Sequence, residues 1–191
     1  MEQLINLDKE LFLFLNGLGS EQFDSFWQII TKQIYWSPLF IGVFYLIQKK
    51  VGWKGLGIII LFLAALITFT DQMTNLFKNH FQRLRPCNDP ALIGKTRLLL
   101  DHCSGGFSFT SSHAANHFGI AIFIFMTWGI TQQRYTKFFF VWAGIIAFAQ
   151  IYVGVHYPLD IIGGTIIGLI SGFAMAKAYL KWAGPMLFKQ A

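Results

Sequence analysis

Charge is scarce in this sequence. Asp, Glu, Lys and Arg together make up 13% of its residues, against roughly 25% in an ordinary soluble domain. Acids are the scarcer sign, 9 against 15 bases, which leaves a net charge of +6. The N-terminus, Met1-Glu2-Gln3-Leu4-Ile5, has neither a basic leader nor a small-residue cleavage site, so no cleaved signal peptide is expected. Basic residues are not gathered on a soluble face but sit between apolar runs, and nucleic-acid binding is therefore not expected. What fills the chain instead is apolar: 54% hydrophobic residues with 21 phenylalanines, and a mean hydropathy of +0.51. Too little polar surface is left to cover a water-soluble globule of 191 residues, so the bilayer is the expected solvent.

Five uncharged apolar stretches stand out: 33–48, 55–70, 114–133, 138–155 and 161–176. Several are shorter than the ~20 residues of a spanning helix, but each extends at its ends. The expected fold is all-α: an integral-membrane helical bundle of about five spanning helices, forming a single domain over 1–191. Residues 4–18 place Leu4, Leu7, Leu11, Phe14, Leu15 and Leu18 at helical spacing, which predicts an amphipathic helix on the membrane surface or packed beside it. Lys49, Lys50 and Lys54, then Arg134 and Lys137, then Lys177, Lys181 and Lys189 occupy alternate connections. The positive-inside rule puts these in the cytoplasm. The long segment 77–112 and the turn around His156 then lie outside, in a multi-pass membrane protein.

Three short patterns fall on that outer side, each near the end of a predicted span. The first is Lys78 followed after six residues by Arg85-Pro86; the second is Thr110-Ser111-Ser112-His113; the third is His156-Tyr157-Pro158-Leu159-Asp160. Two neighbouring cations repel unless an anion joins them, so Lys78 and Arg85 suit a phosphate, or else anchor the chain at lipid headgroups. Ser111 and Ser112 suit a helix N-cap, whose free N–H groups and positive dipole end attract an anion. His113 adds a titratable group beside it. Pro158 suits the first position of a helix. Asp160 in the first turn then either complements the helix dipole or accepts from one nitrogen of His156, leaving the other free to attack.

Together these segments resemble the signature of the type 2 phosphatidic acid phosphatase superfamily, which includes vanadium haloperoxidases: Lys-(six)-Arg-Pro, Pro-Ser-Gly-His, and Ser-Arg-(five)-His-(three)-Asp. The hydrophobicity excludes a soluble haloperoxidase. The resemblance, to the small bacterial members in particular, implies a lipid phosphatase of the bacterial cytoplasmic membrane without metal or cofactor, whose substrate is undecaprenyl diphosphate, phosphatidylglycerophosphate, phosphatidic acid or lipid A phosphate. It implies His156 as nucleophile through a phosphohistidine, Asp160 as its orienting acid and His113 as proton donor to the leaving oxygen. Lys78, Arg85, Ser111 and the backbone N–H of Ser112 would hold the phosphoryl oxygens.

Two departures bear on activity. Thr110 and Ser112 stand where the family has Pro and Gly, and Ala149-Gln150 where it has Ser-Arg. Losing a donor at the transferred phosphate costs roughly 10²–10³ in rate. Gln150 offers one neutral hydrogen bond, and Arg83 is the expected source of the missing charge. Lys95 and Arg97 are candidates for a second phosphate. The competing reading is a catalytically impaired lipid-phosphate binding or transport protein. Cys87 and Cys103 share the outer segment, where a disulfide is permitted, with two free thiols the alternative. Asp71, Asn75 and Lys78 form one polar stripe, expected inside the bundle. His113 and His117 share a helix face without an accompanying acid, which argues against zinc. Gly164, Gly168 and Gly172, four residues apart, predict close helix packing.

Overall fold

The computed structural model describes residues 2–103 and 105–183. Those residues fold into six α-helices with no strand: α1 (Glu2–Gly17), α2 (Glu21–Thr31), α3 (Ser37–Phe81), α4 (Ser112–Thr136), α5 (Phe138–Tyr152) and α6 (Pro158–Trp182). Short 3₁₀ turns precede α3 and punctuate the loop between α3 and α4. Lys189 and the side chain of Arg134 lie outside the described residues.

The all-helical expectation is met, and the first two apolar stretches form the two helical arms of α3, parted by a sharp turn rather than by a loop. The break between them is Gly52, at φ 70° and ψ 179°, a backbone region open to glycine and closed to most L-residues. Two described stretches are long and apolar enough to cross a membrane, Ile34–Leu92 and Pro158–Trp182, and Phe138–Tyr152 is apolar but shorter.

Packing is tightest between α4 and α6, and the glycine stripe is the reason. A Cβ built on Gly164, Gly168 or Gly172 would lie 2.3, 2.2 and 2.3 Å from the carbonyl oxygens of Ser111, Ala115 and Gly119. Backbone meets backbone along three helical turns, which fixes the start of α4 against the start of α6. Gly168→Val is therefore expected to lower the melting temperature sharply or abolish the folded yield, overpacking costing about 1–3 kcal/mol or more where backbone must move. Gly57→Ala, in open space, should melt like the parent. Thermal unfolding in detergent of both variants checks this, and equal melting would contradict it.

The N-terminal helix turns most of its leucines outward, the arrangement of the surface helix rather than of the packed one. Its buried stripe is Asp8, Phe12 and Asn16, whereas Leu4, Leu7, Leu11, Phe14 and Leu18 are exposed. Asn16 explains part of how the opposite face docks: its Nδ2 donates to the carbonyls of Arg97, Ile151 and Tyr152 at 3.1, 3.2 and 2.9 Å, and its Oδ1 accepts from Arg97 N at 2.8 Å. The Arg97 groups lie in a loop and the Tyr152 carbonyl at a helix end, where a polar side chain satisfies them and a leucine would not.

Candidate active site

All three signature segments end at the same pole of the bundle. Helix α3 delivers Lys78 in its last turn and stops at Gln82, which adopts a left-handed conformation (φ 46°, ψ 33°) and donates its N–H to the Lys78 carbonyl. The reversal throws Arg83 and Arg85 back across the top of α6. Ser111 caps α4, its Oγ accepting from Ala114 N at 3.4 Å, and its own N–H donates to the Asp160 carbonyl at 3.0 Å. The α4 and α6 starts are thus tied by backbone as well as by the glycine stripe. Helix α6 begins at Pro158, with a capping box between Tyr157 and Asp160.

The site is built on His156, which is 2% exposed. Its Nδ1 lies 3.4 Å from Asp160 Oδ2, which also accepts from Tyr157 N at 2.8 Å. Its Nε2 lies 3.2 Å from Arg85 Nη1, which also donates to the Val155 carbonyl at 3.2 Å. The carboxylate assigns the proton to Nδ1 and leaves the Nε2 lone pair facing the guanidinium. Burial pushes the imidazole below its usual range, outweighing the Asp160 hydrogen bond that raises it. The sign follows: a depressed pKa keeps the ring neutral, and hence nucleophilic, at a pH where a free imidazole is half protonated, about 6.5. Nitrogen chemical shifts of histidine-labelled protein at that pH should show His156 as the neutral Nδ1–H tautomer; a half-charged signal would contradict the burial argument.

Around this pair lie the expected anion ligands. Lys78 Nζ donates to Ser112 Oγ at 2.6 Å, and Thr74 Oγ1 shares that hydroxyl at 2.8 Å. Lys78 and Arg85 are close enough to repel one another, and His113 feels the charges of His156, Lys78 and Arg85. His113 stacks parallel to His117, centroids 6.2 Å apart, and His117 in turn packs on Trp142 at 4.6 Å. Among the described buried side-chain atoms without a partner are Arg85 Nε and Gln150 Nε2. Both belong to residues bonded to His156, since the Gln150 carbonyl accepts from His156 N at 3.3 Å. Buried donors left unpaired cost free energy unless something accepts from them, and an anionic oxygen beside Nε2 would do so. Among the described residues no group of three or more His, Cys, Asp or Glu side chains is placed to hold a metal.

Two expected ligands are spent elsewhere. Arg83 donates from Nη1 to Asp160 Oδ1 at 2.9 Å and from Nη2 to Asp8 Oδ2 at 2.6 Å, with its guanidinium 3.8 Å from the centre of the Tyr157 ring. It therefore supports the acid behind His156 and is not grouped with Lys78 and Ser112. Arg97 makes a two-pronged bond to Asp24, at 2.9 and 2.8 Å, which strips it of the role of ligand to a second phosphate; Lys95 is exposed. Asp71 accepts from Asn116 Nδ2 at 2.9 Å, a link inside the bundle, whereas Asn75 of the same stripe is exposed. Cys87 and Cys103 are joined in a disulfide that closes the loop between Arg85 and Ser111. Sequence reasoning passed over Asp8; its spacing with Phe12 and Asn16 was the available signal.

The comparisons with known proteins agree with this geometry. The family model described as the PAP2 superfamily matches residues 36–183. A lipid A 4'-phosphatase of Bacteroides thetaiotaomicron is 36% identical over 91% of this chain and 77% of its own length. One of Porphyromonas gingivalis is 29% identical over 96% and 79%. Among solved structures, LpxE of Aquifex aeolicus superposes with a TM-score of 0.64 at 26% identity, covering 88% of this chain and 93% of that one. A PAP2-type phosphatidylglycerolphosphate phosphatase of Bacillus subtilis shares the fold, with a TM-score of 0.65 at 19% identity, over 95% and 88%. A histidine held between a carboxylate and a guanidinium, on a helical scaffold matched along most of its length by these enzymes, leads to one assignment: the chain belongs to the PAP2 superfamily and is a membrane lipid phosphatase.

Proposed function

We propose that this enzyme removes a phosphate from lipid A or a closely similar lipid phosphate at the outer face of the bacterial cytoplasmic membrane, through a phosphohistidine on His156. The observation that carries the reading is the placement of His156, with Asp160 on Nδ1 and Arg85 beside Nε2. In the first step Nε2 attacks phosphorus as the bond to the lipid oxygen breaks, and His113 gives its proton to that oxygen. In the second, His113 takes a proton from water, whose oxygen attacks phosphorus; the P–N bond breaks and inorganic phosphate leaves. Lys78, Arg85, the Ser111 and Ser112 segment and Gln150 hold the equatorial oxygens, and Asp160 balances the positive charge that the imidazole acquires. Each proton is returned, so the chemistry closes on the chain's own residues.

Lipid A is favoured over a diphosphate substrate for two reasons. Both lipid A 4'-phosphatases above align over most of the chain, and Arg97, one of the two cations once available to a second phosphate, is held by Asp24. The lysine-bearing turn at Gly52 and the Lys137 turn lie at the pole opposite the site, which supports five membrane crossings with that pole in the cytoplasm. The exposed leucines of α1 then rest in the outer leaflet.

Phosphate release by the purified protein tests the reading, with lipid A, phosphatidic acid, phosphatidylglycerophosphate and undecaprenyl diphosphate supplied separately. Release fastest from lipid A is expected. Tight retention of these lipids without release from any of them would favour a binding protein, with Gln150 in place of Arg as its cause.

A further inference from the structure

We propose that Asp8, on the N-terminal helix, is a positioning residue for the catalytic pair and acts through Arg83. The inference rests on the function proposed above for His156 and Asp160, and adds to it a residue some 150 positions away in sequence, as the Asp8–Leu159 contact separation of 151 attests.

Asp160 has two oxygens and three donors to serve. Oδ2 takes Tyr157 N and faces His156 Nδ1, while Oδ1 takes Arg83 Nη1. The direction in which Oδ2 points is therefore set by where Arg83 holds Oδ1. Arg83 itself hangs from a loop beyond the end of α3, and three contacts fix it: Asp160, the face of Tyr157, and Asp8. Only Asp8 comes from outside the His156–Asp160 segment. Its carboxylate is buried and fully used, Oδ2 on Arg83 Nη2 and Oδ1 on Leu159 N at 2.9 Å. Lys9, its neighbour, pairs with Asp89 at 2.7 Å, and Asp89 accepts from the Tyr157 hydroxyl at 2.8 Å. Two consecutive residues of α1 thus brace both partners of Asp160, the guanidinium and the ring beneath it. A planar guanidinium clasped at each end by a carboxylate has one geometry, which a lone contact would not enforce.

The simpler reading is that Asp8 only pins α1 to the start of α6 through Leu159 N. A double-mutant cycle in the full-length detergent-solubilised protein separates the two, with phosphate release from lipid A as the assay and melting temperature as the control for folding. Asp8→Asn keeps an oxygen for Leu159 N and removes the negative charge that faces Arg83. Outer partners of a reactive histidine, best measured at metal sites, are worth about 10–100-fold. A fall of that order in kcat with KM unchanged is expected, and no further fall when Asp8→Asn is added to Arg83→Ala. Arg83→Lys, whose single ammonium cannot span both carboxylates, repeats the test from the other partner and should lower kcat at constant KM. Wild-type kcat in Asp8→Asn, or losses that multiply in full in the double variant, would overturn the proposal.

Nitrogen chemical shifts of His156, assigned with His156→Ala, give a readout independent of turnover. They are expected to move in Asp8→Asn; shifts identical to the parent would also overturn the proposal. A parent protein that releases no phosphate, yet whose His156 signal moves in Asp8→Asn, would sink the proposed function and leave the positioning role standing.

Discussion

His156→Ala is expected to reduce phosphate release from lipid A by about 10⁴–10⁶, the scale on which loss of a covalent nucleophile is felt in other hydrolases. The loss should fall on kcat, because lipid binding uses apolar surface and the cations Lys78 and Arg85, and Arg85 keeps its bond to the Val155 carbonyl when the ring is removed. Folding should survive. The backbone bond from His156 N to the Gln150 carbonyl is kept, and removing the ring relieves Arg85 of a neighbour rather than leaving a charge without a partner. A variant that retained more than about one part in 10² of the parent rate would mean that water, not His156, attacks phosphorus.

Asp160→Asn should cost about 10³–10⁴ in kcat, for a reason visible in its contacts. Three donors converge on this carboxylate: Tyr157 N, His156 Nδ1 and Arg83 Nη1. An amide cannot accept from all of them. With its oxygen toward Tyr157, its NH₂ meets the Arg83 guanidinium; with its oxygen toward Arg83, its NH₂ faces Tyr157 N and forces the His156 proton to the attacking nitrogen. Either arrangement also removes the negative charge that balances the phosphorylated imidazole. Because the residue is fully buried, stability should fall as well, and kcat must be measured on protein shown by its melting curve to be folded. A rate within tenfold of the parent would show that the acid is a helix cap and nothing more.

That these two residues meet Lys78, Arg85, Ser111, Ser112 and His113 at one pole was legible in the sequence, because each lies near the end of an apolar run; the roles proposed for them follow the family signature. Helix ends are where chain position and depth in the bundle coincide, so short patterns at three helix ends imply a meeting point. Glycine spacing in α6 was readable for a similar reason: a period of four on a helix is one face. What could not be read was the fate of cations in the loop after α3. Arg83 is two residues from Arg85, and nothing local distinguishes a phosphate ligand from a strut. The difference is made by the left-handed turn at Gln82 and by a carboxylate arriving from α1. Arg97 is likewise decided by Asp24, 73 residues away.

Asp8 was hidden because the pattern read in α1 was that of its leucines, which says which face meets lipid and not what the opposite face binds. Beside a bilayer the leucines of α1 have a solvent of their own, and the polar stripe is the face that docks. The arms of α3 show a related limit. Two apolar runs separated by lysines read as two helices with a loop; both helices form, but one glycine at positive φ turns the chain between them and takes the place of the loop.

The account stands or falls on a covalent bond between phosphorus and His156 Nε2. Lipid A carrying radiolabelled phosphate, mixed with enzyme and quenched in alkali, in which phosphohistidine survives, followed by peptide mapping, tests that bond directly. Label on the peptide that contains His156, absent from His156→Ala and lost on brief acid treatment, is the predicted result. Turnover by the parent enzyme with no label trapped at any time, or label retained in His156→Ala, would contradict it.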